Sequence, residues 1–199
     1  MLSQDYSIRK KTVGILDYGA GNFTSIKNTL STIGASSTII RGPSDLKHIN
    51  ALILPGVGNF GPSIENLRSR DFLSVISLTI RSGLPTLGIC LGFHILTKSS
   101  EEAPGISGLG LFEMITTRIS PRIRQQYKVP HLGWNSLCHV TSPPPSLLKG
   151  INSDKALFYY SNAYGVSAPE HNCSQAAFYS HESKYFCLLY TSPSPRDAT

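Results

Sequence analysis

The chain lacks any apolar run long enough to cross a bilayer, and its opening stretch, MLSQDYSIRKK, lacks the apolar core of a secretory signal. Neither a membrane span nor export is expected, and the sequence reads as cytoplasmic. Its four cysteines, Cys90, Cys138, Cys173 and Cys187, form no CxxC pair and no dense framework. That excludes a zinc ribbon and a disulfide scaffold, and reduced thiols are expected. Charged residues are scarce at 15% while 40% of residues are hydrophobic, a balance that excludes a disordered chain. No internal repeat is present, and 199 residues suffice for one α/β domain with a full core but are short for two.

The formal charge is +6, with basic residues bunched at Arg9, Lys10 and Lys11 and at Arg118, Arg122, Arg124 and Lys128. Neither cluster carries the interleaved aromatics or the reading motif of a nucleic-acid binder, so a solvated or partner-facing surface is expected. DYGAGN (residues 17–22) lacks the third glycine of a dinucleotide fingerprint and has no acidic residue at the expected distance. No nucleotide, metal or other cofactor is expected.

The periodicities alternate. TVGILDY, SSTIIR, ALILP and PTLGIC read as short strands, with a helix over FTSIKNTLSTIG, a longer one over SIENLRSRDFLSVISLTIRSG and another over LGFHILTKSS. This pattern predicts an α/β fold with an open, mostly parallel, doubly wound sheet whose ligands gather at the carboxyl ends of the strands. After Glu102, LGLFEMITTRIS, VPHLGWNSLCHV, KALFYYSNAYGV and CSQAAFYSHESKYF read as strands separated by turns, so the second half is predicted to be antiparallel. TSPPPSLLKG is a rigid connection.

Two glycine-rich loops fall at predicted strand ends. In the first, Gly88-Ile89-Cys90-Leu91-Gly92, small residues flank a cysteine at a strand-to-helix junction, as in a nucleophile elbow. A buried structural cysteine is the ordinary alternative; the elbow context favours a nucleophile, with the following helix dipole favouring thiolate and the Leu91 N–H pointing toward an oxyanion. In the second, PGVGNFG, the amides near Gly56, Val57 and Gly58 are candidates for a second oxyanion donor, or else an ordinary turn.

LDYGAGNFTSIKNTL, LILPGVGNFG, GICLGF, GLGLF and VPHLGWN, in this order, resemble the glutaminase subunits of imidazole glycerol phosphate synthases, a branch of the class I glutamine amidotransferase family. The resemblance spans about residues 12–186. It implies that Cys90 attacks the side-chain amide of glutamine, forming a thioester and releasing ammonia to a cyclase subunit, its heterodimer partner, for histidine synthesis. It implies Gly56, Val57, Gly58, Leu91 and His94 at the substrate and oxyanion pocket, and Pro130, His131, Gly133, Trp134 and Asn135 facing the partner. The chain departs from the family pattern at Phe93-His94, where Met-Gln is usual, and at Ser161-Asn162-Ala163-Tyr164, where Val-His-Ser-Tyr is usual. A sister branch supplying ammonia for surface-glycan synthesis, and a non-catalytic docking subunit, are the competing readings.

The family's catalytic base and its carboxylate, a His-Pro-Glu pair, have no counterpart in the chain. Of the six histidines, His48, His94, His131, His139, His171 and His181, His181 alone is directly followed by a glutamate, and it reads as a solvated turn residue. CLLYTSPSPRD at residues 187–197 reads as the translation of a transposase adapter used in short-read DNA libraries, the ordinary alternative being a natural Pro- and Ser-rich tail. The expected organisation is an extension over residues 1–11, an amidotransferase domain over 12–186 that is incomplete at its C-terminus, and adapter sequence over 187–199. On that reading the missing pair lies beyond residue 186, and this chain is inactive on its own.

Overall fold

The computed structural model describes residues 11–119, 129–137, 139–140, 148–152, 155–166, 176–181 and 183–189, the backbone alone for 139–140 and from 176 onward. The extension over 1–10, Arg122, Arg124, Lys128, Cys138, residues 141–147 of the proline-rich connection, His171, Cys173, Glu182 and residues 190–199 lie outside the described residues.

The first half alternates as the periodicity predicts: β1 (Thr12–Leu16), α1 (Phe23–Thr32), β2 (Ser36–Ile40), β3 (Ala51–Leu54), α2 (Phe60–Ser69), α3 (Phe72–Arg81), β4 (Thr86–Gly88) and α4 (Leu91–Leu96). The strands form one parallel sheet in the order β2-β1-β3-β4. Because they run the same way, the segments after β1, β3 and β4 emerge side by side at one sheet edge, where a doubly wound fold gathers its ligands. Beneath that edge lie Leu16, Leu52, Leu54, Phe60, Ile64, Leu67, Phe72 and Ile76, all essentially inaccessible to water.

The second half is built from β5 (Thr97–Ser100), β6 (Phe112–Arg118), β7 (His131–Ser136), β8 (His139–Val140), β9 (Leu157–Asn162), β10 (Tyr164–Val166), β11 (Ala176–His181) and β12 (Ser183–Leu189). Its pairings are antiparallel except β5 with β6, which is parallel. β12 runs to Leu189, past residue 186.

Two expectations are corrected. The single helix predicted over 63–83 is broken at Asp71, which adopts a left-handed φ of 58°, and its pieces are α2 and α3. Aspartate tolerates that conformation, and no hydrophobic period reveals it. The helix predicted over LGFHILTKSS stops at Leu96, and Thr97–Ser100 is strand β5. The Thr97 hydroxyl donates to the His94 carbonyl at 2.7 Å, satisfying a carbonyl at the helix end, and the chain then pairs with β6.

Candidate active site

Cys90 stands between β4 and α4 with φ 53° and ψ −116°, a backbone state that L side chains rarely adopt. The turn is locked on both sides: Ile89 N–H donates to Leu54 O at 2.9 Å, and Phe93 N–H to Cys90 O at 2.9 Å. The flanking glycines are steric requirements. A Cβ on Gly88 would lie 2.7 Å from Phe93 backbone atoms, and one on Gly92 would lie 1.9 Å from Leu54 O. The tight strand-to-helix turn expected around Cys90 is therefore present, and Cys90 is exposed.

Its thiol, however, is pushed above the ordinary value, chiefly by desolvation. The Leu91 N–H pulls it down by less, and the Glu102 carboxylate adds to the rise. This corrects the expectation that the helix would favour thiolate: α4 has 6 residues and presents little aligned dipole to offset the desolvation. Cys90 Sγ donates to Asn162 Oδ1 at 3.9 Å, which suits the neutral thiol. Among the described residues, no imidazole hydrogen-bonds the sulfur.

The loop after β3 packs directly on the elbow. A Cβ on Gly56 would meet Gly92 N at 2.5 Å, Leu91 Cβ at 2.7 Å and the Tyr18 hydroxyl at 2.8 Å, so only glycine fits. Val57 is 63% exposed and Gly58 has φ 107°. The amides of Gly56, Val57 and Gly58 donate no hydrogen bond within the described residues. The loop ends where Phe60 N–H, in the first turn of α2, donates to Glu102 Oε2 at 3.2 Å. Asn59, the residue before the helix, makes no side-chain cap, so the carboxylate caps α2 from across the fold.

His94 is half-buried on α4 beside the Phe93 ring, and burial pushes its imidazole down to about 4. It is neutral at pH 7 and a poor proton acceptor there. As pH falls below 6.5 the unfolded chain protonates this histidine while the folded chain does not until about pH 4, so folding stability drops across that window. We expect His94→Gln to flatten the pH dependence of the urea midpoint between pH 6.5 and 4, relative to the parent chain. An unchanged slope would show that this imidazole is accessible to protons in the folded state.

The residues expected to face a partner lie mainly on β7. His131, Gly133 and Asn135 share one face of the β7–β9 ribbon with Tyr160 and Asn162, and the His131 and Tyr160 rings stand 5.8 Å apart. The other face presents Leu132, Trp134 and Tyr159, which are 60%, 68% and 58% exposed, with the last two rings edge to face at 5.5 Å. Pro130, exposed, precedes the strand. One face of the ribbon thus reaches the thiol through Asn162 while the other is an open aromatic surface.

Tyr18 and Glu102 were not singled out by sequence reasoning. Tyr18 follows β1, is fully buried, and donates its hydroxyl to Pro55 O; desolvation and the nearby Cys90 hold its phenol far above the usual range. The available signal is an aromatic at a strand end, inside the loop DYGAGN. No group of His, Cys, Asp and Glu suited to a metal occurs among the described residues, and no described helix is long and apolar enough to cross a membrane.

The sequence pattern of the family "Glutamine amidotransferase class-I" matches residues 14–188. The chain belongs to this family. The chain is 36% identical to "Imidazole glycerol phosphate synthase subunit HisH" of Prochlorococcus marinus (strain MIT 9211), over 83% of this chain and 76% of that one. It is 34% identical to the protein of the same name from Sulfurimonas denitrificans, over 85% and 81%. It is also 41% identical to "Imidazole glycerol phosphate synthase hisHF" of Emericella nidulans, over 78% of this chain and 28% of that longer protein. A solved structure of a glutamine amidotransferase superposes on this amidotransferase with a TM-score of 0.58 at 22% identity, covering 77% of this chain and 72% of the other, a likeness of fold.

Proposed function

We propose that this amidotransferase chain is the glutamine-hydrolysing subunit of an imidazole glycerol phosphate synthase, working in the cytoplasm and passing ammonia to a cyclase subunit in histidine biosynthesis. The observation that carries the reading is the strained elbow of Cys90 with the Gly56–Val57 loop packed against it. Cys90 Sγ attacks the δ-carbonyl carbon of glutamine, and the carbonyl oxygen takes the negative charge. The Leu91 N–H beside the sulfur and the uncommitted Val57 N–H are the donors for that oxyanion. Ammonia leaves, and water hydrolyses the thioester to glutamate. His94 and the loop at Gly56 and Gly58 border the pocket.

The thiol proton needs an acceptor before the sulfur can attack. Asn162 accepts a hydrogen bond from the thiol but does not take its proton, so it holds the resting cysteine neutral. A positioned base is worth roughly 10²–10⁴-fold. With the cyclase subunit added, glutamate release by this chain should therefore be at least about 10²-fold slower than that of the Prochlorococcus relative in its own complex. Release at parity would show that a base is in place. The same contact favours a second reading, a docking subunit without catalysis, for which cyclase binding would persist with no glutamate formed at any substrate concentration.

The outer face of the β7–β9 ribbon is the surface proposed for the cyclase subunit, with Trp134 as its aromatic anchor and Pro130, His131, Gly133 and Asn135 shaping the strand that presents it. Trp134→Ala should weaken cyclase binding by about 10-fold or more in a calorimetric titration. Because the side chain is 68% exposed, folding stability should change little. Unchanged affinity would place the interface elsewhere.

A further inference from the structure

Cys90 Sγ is flanked by two groups of opposite hydrogen-bonding sense. The Leu91 N–H, a donor, lies beside it at the start of α4, and Asn162 Oδ1, an acceptor at the end of β9, takes the thiol hydrogen at 3.9 Å. The acceptor is anchored on both sides. Asn162 pairs with His131 across the β7–β9 ladder, while the carbonyl of the next residue, Ala163, accepts the Ile119 N–H at 2.9 Å, and Tyr164 then pairs with Arg118 of β6. Asn162 thus stands where two sheets meet, its backbone fixed by both.

A carboxamide has the matching polarity: its oxygen accepts and its NH2 group donates, whereas a carboxylate offers acceptors alone. Attack requires the δ-carbon of glutamine to come within about 3–3.5 Å of the sulfur, and the oxygen and nitrogen then lie on opposite sides of that carbon. With the oxygen turned to the Leu91 N–H, the nitrogen is turned toward Asn162. An asparagine carbonyl has two lone pairs, so Oδ1 can accept from the substrate NH2 group as the thiol proton leaves. A glutamate carboxylate in the same pose would set a negative oxygen against Oδ1 with no hydrogen between them, and a site built to hydrogen-bond an N–H rejects the analogue that lacks it.

We propose that Asn162 is a specificity-determining residue: its Oδ1 accepts a hydrogen bond from the carboxamide NH2 group of glutamine and so selects the substrate over its product, glutamate. The proposal rests on the glutaminase reading. It gives the contact between thiol and asparagine a second use, since the resting thiol occupies the acceptor that the substrate takes over. The same acceptor favours release of glutamate once the nitrogen has left.

The test measures calorimetric binding of glutamine and of glutamate to the whole chain carrying Cys90→Ala, in which no turnover consumes the ligand. That chain should bind glutamine at least about fivefold more tightly than glutamate. Adding Asn162→Leu, close in size but without an acceptor, should weaken glutamine by about 5- to 10-fold, the range for one hydrogen bond, and leave glutamate within about twofold. Adding Asn162→Asp keeps an acceptor and brings a negative charge, so glutamine should stay within about twofold while glutamate weakens by about 10-fold or more. A preference for glutamine that survives Asn162→Leu overturns the proposal. A parallel loss of both ligands also overturns it, by showing a general structural role. So does a Cys90→Ala chain that binds the two ligands equally or prefers glutamate, and in these cases the pocket for glutamine stands. A Cys90→Ala chain that binds neither ligand removes the glutaminase reading and this proposal together. Should the Asn162→Leu chain fail to fold by circular dichroism, Asn162→Asp decides alone, and an unchanged ratio of the two affinities there is equally fatal.

Discussion

Gly92→Ala should destabilise the domain by about 3 kcal/mol or more, the upper range for overpacking. The added Cβ would stand 1.9 Å from Leu54 O and 2.7 Å from its carbonyl carbon. Neither atom can swing aside as a side-chain tip would, because both belong to the last residue of a central strand. The same oxygen already accepts the Ile89 N–H at 2.9 Å, so moving it would also loosen the approach to the elbow. Gly42 provides the control: its φ is −147° and the nearest atom to an added Cβ is 3.9 Å away. Gly42→Ala should leave stability within about 0.5 kcal/mol. Urea unfolding of the two variants checks the pair, and similar midpoints would mean that α4 does not sit on β3 as described.

The second large effect separates chemistry from folding at one position. Cys90→Ala and Cys90→Gly should both reduce glutamate release to background, since the atom that attacks is gone. Their stabilities should differ. At φ 53° and ψ −116° a side chain costs of order 1–3 kcal/mol, which alanine retains and glycine relieves. Glycine also has the more disordered unfolded chain, worth roughly 1 kcal/mol against it, so the net expectation is about 1 kcal/mol in favour of Cys90→Gly over Cys90→Ala. Denaturant titrations of the two variants measure the difference. A less stable glycine variant would show that the elbow is unstrained.

Legibility in the sequence followed the range of the interactions. The strands β1 to β4 and the loops at their ends were readable because alternation and glycine placement are local signals. The elbow was readable for the same reason: Gly88, Cys90 and Gly92 lie within five consecutive residues, although the steric demand on Gly92 comes from Leu54 O on β3. The break at Asp71 was not readable, because a single left-handed aspartate leaves the apolar spacing on both sides intact. Nor were the contacts that complete the site. Tyr18 to Pro55, Glu102 to Phe60 and Cys90 to Asn162 join residues 37, 42 and 72 positions apart, distances over which no period carries information. The state of the thiol was misjudged through the same blindness, because desolvation and the Glu102 charge are products of the folded packing.

The central claim is that Cys90 is a nucleophile presented to glutamine. The most direct measurement is covalent labelling with 6-diazo-5-oxo-L-norleucine, a glutamine-shaped electrophile, followed by peptide mass spectrometry with and without excess glutamine. The account predicts a single adduct on Cys90 that glutamine suppresses. Labelling spread over several cysteines, or an adduct on Cys90 that glutamine leaves untouched, would contradict it.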